Sequence, residues 1–262
     1  MMIALSLAKF EEGITNEDAA MAKENVVAVS DGAGGGGVFA DCWSKYLIEN
    51  LPDKPVKSFK VFVKWIDSIW ESFYNEYEEK AKSVGGMFLN KFYDEGSFAT
   101  IVAVWKGGQW VSYGDSVAFC YNMKTDELQH SFTRLSVFNT PPYLINCKDP
   151  LDEKGFRCGK FKITKDCVVF AASDTLAHYI LMMYEVTHKE QYAEELQEAI
   201  DAQTKNSNYI KDALAQKNIE YAEDIMGKLL GSCRNSGNFK RHLEGLRRKG
   251  LIGHDDYSLA IL

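Results

Sequence analysis

Four aspartates in this sequence sit at the ends of short apolar runs. Val26-Val27-Ala28-Val29-Ser30 runs into Asp31, Trp110-Val111-Ser112-Tyr113-Gly114 into Asp115, and Val168-Val169-Phe170-Ala171-Ala172-Ser173 into Asp174. Asp255-Asp256 stands just ahead of a last apolar run, Ser258 to Leu262. In an antiparallel sheet the end of one strand lies beside the start of its neighbour, so these acids can share one sheet edge. Carboxylates gathered at a buried edge repel one another unless a cation neutralises them. Oxygen-only donors suit hard divalent ions such as Mg²⁺ or Mn²⁺. An acid closing a single strand is an ordinary turn residue; the recurrence is what points to a metal site.

Asp31 opens a glycine-rich loop, Gly32-Ala33-Gly34-Gly35-Gly36-Gly37, which leads into a helical pattern. Gly32, Gly34 and Gly37 satisfy the spacing of a dinucleotide-binding turn, and a nucleotide-dependent oxidoreductase is one reading of it. Two features weigh against that reading. Asp31 would face the pyrophosphate, and no second parallel strand ending in an acid follows. The sequence has no phosphate-binding G-x-x-x-x-G-K-[ST], no G-x-S-x-G and no H-E-x-x-H. Its five histidines show no metal-ligand spacing.

The elements that must position these residues are legible in outline. Strand-like runs are Ile3 to Ala8, Val26 to Ser30, Ala99 to Trp105, Trp110 to Gly114, Val117 to Tyr121, Cys167 to Ala172 and Ser258 to Leu262. Lys106-Gly107-Gly108-Gln109 reads as a hairpin turn. Phe59, Phe62, Ile66, Ile69, Trp70, Phe73 and Tyr77 form one apolar helical stripe. Val38 to Glu49 is a shorter helix, and from Leu176 to about Leu246 the pattern is helical. Tight turns between strands imply antiparallel pairing and an α+β class.

The chain has 262 residues, with 30 Lys and Arg against 37 Asp and Glu, a formal charge of −7. Hydrophobic residues make up 46% and charged residues 26%, which excludes a disordered or fibrous chain. The acidic balance argues against a nucleic-acid partner. No apolar stretch approaches the roughly 18 residues of a membrane span, so no membrane partner is expected. The start, MMIALSLAKF, reads as a strand rather than a signal peptide. Six cysteines are scattered without a C-x-x-C pair, which suits a reducing cytoplasm. No linker divides the chain, so residues 1–262 are read as one domain. Oligomeric state is not legible.

Taken in order, the segments Asn16-Glu17-Asp18-Ala19, Val29-Ser30-Asp31-Gly32-Ala33-Gly34-Gly35, Gly96-Ser97-Phe98-Ala99-Thr100, Gly114-Asp115-Ser116, Ala172-Ser173-Asp174 and His254-Asp255-Asp256-Tyr257-Ser258 resemble the metal-dependent Ser/Thr protein phosphatases of type 2C, the PPM class. The resemblance spans residues 16 to 258. It implies a central antiparallel β-sandwich flanked by helices and a Mn²⁺ or Mg²⁺ pair at one end of it. Asp31 would bridge the ions, Gly32 would ligate through its carbonyl, Asp174 and Asp255 would hold one ion, and Glu17 the other, with Asp18 in support. Asp115 matches a position linked to a third metal. The catalytic set implied is Asp31, Asp174 and Asp255. The substrate would be a phosphorylated protein or peptide, with phosphoserine or phosphothreonine hydrolysed by a metal-activated water. The helical block at about 185–237 would act as a flap.

The sequence also departs from the pattern. The Arg that grips phosphate in many members is replaced by Gly13, with Lys9 and Lys23 as the nearest cations. Ala33 stands where some members have a His, Thr175 replaces a Gly after Ser-Asp, and Val117 replaces an Arg after Gly-Asp-Ser. These departures keep a second reading open, a catalytically weak or silent PPM-like binding module.

Overall fold

The computed structural model describes residues 2–35 and 37–262; Gly36 of the glycine loop lies outside the described residues. Strands β1 (Ile3–Leu7), β2 (Ala19–Lys23) and β3 (Val26–Ser30) lead into helices α1 (Ala40–Glu49), α2 (Phe59–Val84) and α3 (Gly86–Glu95). Then come β4 (Phe98–Ala99), β5 (Ile101–Trp105), β6 (Gln109–Tyr113), β7 (Val117–Asn122), β8 (Glu127–His130), β9 (Ile145–Asn146), β10 (Phe156–Lys160) and β11 (Cys167–Ala172). Helices α4 (Asp174–Thr187), α5 (Ala193–Asp201) and α6 (Lys205–Leu214) follow. A π-helical stretch (Tyr221–Gly227) continues into α7 (Lys228–Ser232), then α8 (Ser236–Arg248), and β12 (Tyr257–Ile261) closes the chain.

Two five-stranded sheets stack face to face, ordered β1-β12-β11-β7-β8 and β10-β6-β5-β3-β2. Alternation along β3 explains the stacking. Val27 and Val29 face the other sheet with Val102, Val104, Ala118, Val169 and Ala171. Val26 and Ala28 face the opposite way, onto Trp43 of α1 and Phe62, Ile66 and Phe73 of α2. Small side chains fill the space between the sheets. The outer face of the first sheet is covered by α4, α6, the π-helical stretch and α8, with Phe119, Phe170, Tyr179, Ile210 and Phe239 in one buried cluster. The result is the αββα sandwich anticipated from the sequence.

Every named strand pair is antiparallel, which removes the parallel frame a dinucleotide site requires. The strands not anticipated from sequence include β2 and β10, the two edges of one sheet. Their sequences, AAMAK and FRCGK, lack β-branched residues, and every residue in them but Ala19 is partly or fully exposed.

Register decides which ends meet. Ala19 pairs with Ser30, so Asp18 and Asp31 lie side by side. Ile101 pairs with Tyr113, which brings the Gly114-Asp115 turn to the same end. In the other sheet Ala172 pairs with both Val117 and Leu259, which sets Asp174 beside the approach to β12. Asp115 lies where the chain crosses from one sheet to the other.

Candidate active site

The loops carrying the acids are tied together by backbone and hydroxyl bonds. The Asp31 amide donates to Thr100 Oγ1 at 3.2 Å, and the Thr100 amide donates to the Asp31 carbonyl at 2.8 Å. Thr100 Oγ1 lies 2.7 Å from Ser116 Oγ, linking the Asp31 and Asp115 segments. The Ser173 amide donates to the Ser258 carbonyl at 3.1 Å, and the Ser258 amide donates to Ser173 Oγ at 3.0 Å, linking Asp174 to the Asp255 segment.

The neighbouring acids Asp255 and Asp256 divide their roles. Asp255 is exposed, accepts a bond from the Asp256 amide at 3.0 Å, and repels Asp174. Asp256 is 5% exposed and acts as a clamp: it accepts the Lys9 amide at 2.8 Å and the Glu17 amide at 2.6 Å. It therefore fastens the segment that carries Glu17 to the strand carrying the last acids. The sequence reading did not single Asp256 out; two adjacent acids before a strand look alike until the strand's register is known.

Electrostatics show how tightly the acids are gathered. Burial, followed by the charges of Asp18, Asp174, Asp115 and Asp255, pushes Asp31 well above the usual carboxylate range. Burial and then Asp174 push Asp115 up to about 8, with Arg157 pulling the other way. Burial and then Asp255 push Asp174 up to about 6. Asp18 is raised by burial, with the Ser173 and Ser258 hydroxyls pulling the other way and the charges of Asp174 and Asp256 adding to the rise; the two hydroxyls stand near it, but neither buried carboxylate oxygen has a partner in hydrogen-bonding geometry. Glu17 is raised by burial and by Asp256, while Lys9 opposes the shift. Asp31, Asp115, Asp174, Asp255 and Asp18 therefore share one field, with Glu17 attached at its rim through Asp256.

Glycines set two of the close approaches. A Cβ at Gly34 would collide with the Glu17 carboxylate, so the glycine loop folds directly against that side chain. Gly114 has φ +99°, and a Cβ there would lie 2.6 Å from Thr100 Cγ2 and 3.0 Å from the Tyr143 carbonyl. Gly114→Ala is expected to cost about 1–3 kcal/mol from backbone strain and collision, read as a lower urea midpoint at unchanged slope. Thr175, where the resemblance expects Gly, is accommodated from across the site: Gly253 has no Cβ, and one placed there would meet Thr175 Cγ2 at 3.2 Å.

The sequence matches no protein-family model, and no curated protein matches it. Solved structures do match. The catalytic domain of the serine/threonine protein phosphatase PstP, solved with two manganese ions, superposes with a TM-score of 0.55 at 14% identity, over 100% of this chain and 96% of that one. The serine/threonine phosphatase Stp1 from Staphylococcus aureus gives 0.52 at 13% identity, over 100% and 94%. PstP/Ppp from Mycobacterium tuberculosis gives 0.50 at 13% identity, over 100% and 97%. This chain has the PPM phosphatase fold.

Within that PPM fold, the acid cluster is the candidate metal centre. Among the described residues, no three His, Cys, Asp or Glu side chains already stand as an assembled cage. The donor chemistry fits divalent ions all the same. The set is all oxygen, Asp18 carries two orphaned buried oxygens, and the mutual repulsion at Asp31, Asp115 and Asp174 is what a divalent charge would relieve.

The cations around the site differ from expectation. Lys9 does face Glu17. Lys23 pairs with Val26 at the far end of β2 and β3, away from the acids. The cation the sequence did not reveal is Arg157 on β10. Its guanidinium donates to the Gly114 carbonyl and to Ser112 Oγ at 3.4 Å, and lies 4.9 Å from the centre of the Phe132 ring. Burial lowers its pKa and Asp115 opposes that shift, so the two charges face each other. No signal flagged Arg157, because β10 itself was not legible as a strand.

Proposed function

We propose that this chain is a Mn²⁺- or Mg²⁺-dependent protein phosphatase that hydrolyses phosphoserine and phosphothreonine. The observation that carries the reading is the gathering of acids from four separate segments: Asp31, Asp115 and Asp174 are raised by burial and by neighbouring carboxylates, and Asp255 adds its charge to all three. A buried like-charge cluster of this kind is costly, and perturbed groups of this kind mark functional sites.

In this reading Asp31, Asp174 and Asp255 hold one ion, and Asp31, Glu17 and the Gly32 carbonyl hold the other. Asp115 serves a third position, and Asp18 supports the set. Bound divalent ions supply an activated water and neutralise phosphoryl oxygens. The chain's own residues supply position. Asp256 fixes the Glu17 backbone, Thr100 and Ser116 lock the Asp31 and Asp115 loops together, and Ser173 locks the Asp174 loop to β12. Lys9 beside Glu17 and Arg157 beside Asp115 add positive charge that would attract an anionic substrate.

The helical block at about 185–237 is read as the flap that selects substrate. In support, Tyr209 of α6 comes close to Gly253 beside Asp255: a Cβ on Gly253 would lie 3.8 Å from its hydroxyl. A phosphoprotein is the partner, and a reducing cytoplasm is the setting, supported by six cysteines that are all free. No described helix is long and apolar enough to cross a membrane.

The test is hydrolysis of p-nitrophenyl phosphate and of phospho-Ser, phospho-Thr and phospho-Tyr peptides. Turnover is expected with Mn²⁺, to stop with a chelator, and to favour the Ser and Thr peptides. No turnover with either metal on any substrate overturns the reading. The second reading, a silent PPM-like module, rests on the departures at Gly13, Ala33 and Thr175. Calorimetry separates the two, since tight metal binding without turnover belongs to the module.

A further inference from the structure

A second polar cavity lies on the helical side of the molecule, and no acid of the candidate active site lines it. It has a volume of about 410 Å³ and is walled by the π-helical stretch, α7, α8 and the segment that precedes them. That is within the range of small-molecule sites. Four cations line it: Lys217, Lys228, Arg241 and Lys249. The lining includes one carboxylate, Asp224, which is already paired with Lys228 at 2.7 Å.

The concentration of positive charge is notable in a chain of net charge −7. Among the described residues, Lys217, Arg241 and Lys249 have no carboxylate partner. Arg241 donates only to the neutral Asn238 Oδ1, at 2.5 Å. His242 also lines the cavity, and its Nε2 is buried without a hydrogen-bond partner. Burial, and then the charges of Lys249 and Lys228, lower the His242 pKa. Asp224 faces Lys249 as well as Lys228, so a single carboxylate is set against four cations, and the unpartnered ring nitrogen lies beside them. Apolar walls are present too: Tyr179 of α4, and Leu246 and Leu251 at the end of α8 and beyond it.

We propose that this cavity binds a small phosphate-bearing ligand of the di- or triphosphate class, with its phosphates on Lys217, Lys228, Arg241 and Lys249. Lys and Arg supply charge-assisted hydrogen bonds to phosphate oxygens. A nucleoside would place its ring against the apolar wall; a bare polyphosphate would use the cations alone.

The site adjoins both acid-bearing segments. Tyr179 is on the helix that begins with Asp174, and Leu251 lies in the segment leading to Asp255.

The test is calorimetric titration of the full chain with inorganic pyrophosphate and, separately, with ADP. Chelator is present throughout, so that metal-held phosphate at the acid cluster does not contribute. Saturable one-to-one binding is expected, weakened about tenfold or more in the Arg241→Gln/Lys249→Gln double variant, a loss of about 1.4 kcal/mol. Both positions are exposed, so the variant's melting temperature should match the parent's. Tighter binding of ADP than of pyrophosphate assigns the apolar wall to a nucleoside; equal binding assigns the site to the phosphates alone. No saturable binding of either probe, or binding that the double variant leaves unchanged, overturns the proposal. Because the titration is metal-free and reads no turnover, its failure is distinguishable from failure of the phosphatase reading.

Discussion

Asp31→Asn is expected to lower Mn²⁺-dependent hydrolysis of p-nitrophenyl phosphate by about a hundredfold or more, since changes merely outside a metal's own ligands already cost about 10–100-fold. The prediction rests on where Asp31 sits. Its side chain feels Asp18, Asp174, Asp115 and Asp255 together, more of the cluster than any of the others feels. An amide of the same shape keeps one oxygen but removes the charge that, in the proposed reading, would hold two cations near each other. The backbone should not register the change, because the bonds between residue 31 and Thr100 use main-chain atoms of residue 31. Removing one of several mutually repelling carboxylates should leave the metal-free melting temperature equal or higher. Lost turnover with retained stability would identify Asp31 as part of the reaction centre. Unchanged turnover in the variant would sink the assignment.

What the sequence disclosed follows from which residues carry periodic information. β3 and β11 are fully or largely buried and dense in Val and Ala, so their ends could be placed within a residue, and Asp31 and Asp174 came with them. β2 and β10 are half-exposed edges with Met, Arg, Gly and Lys, and nothing in their composition separates them from loop. Arg157 was lost with β10. Asp18 and Glu17 were visible only through the resemblance, because β2 behind them was not. The division of labour between Asp255 and Asp256 depends on which acid points into the sandwich, and strand alternation fixes that only once the pairing of β12 with β1 and β11 is known. Thr175 shows the same limit from the other side. It looked like a defect in the Asp174 loop, yet the compensating Gly253 lies 78 positions later and becomes relevant only when the two loops meet.

The metal-free protein is expected to melt higher at pH 6.5 than at pH 8, and Mn²⁺ should abolish most of that difference. Asp115 is pushed up to about 8 and Asp174 up to about 6, by burial first and by neighbouring carboxylates second. In the unfolded chain both titrate near about 3.9. Between pH 8 and about 4 the folded state therefore binds more protons than the unfolded state, and stability rises as pH falls. Other buried groups must be kept apart from this effect. His178 is depressed to about 4 by burial, and burial lowers His130 and His242 too, so their uptake of protons in the unfolded chain near about pH 6.5 opposes the rise at the low end of the window and is smallest above about pH 7. Glu185 is raised to about 8 by burial and by Glu195, and contributes with the same sign. Glu185 belongs to α4 rather than to the acid cluster, so Glu185→Gln removes its share and metal should not. Divalent ions replace the protons at the aspartates, so saturating Mn²⁺ should flatten the window and raise the melting temperature throughout. One site filled at about a thousand times its Kd contributes about 4 kcal/mol, or about 8–16 °C in a chain of this size. The measurement is a melting series in the Glu185→Gln background from pH 8 to 6.5, with chelator and with Mn²⁺. A metal-free melting temperature indifferent to pH, together with no upward shift on adding Mn²⁺, would mean that the aspartates do not act as one charged cluster.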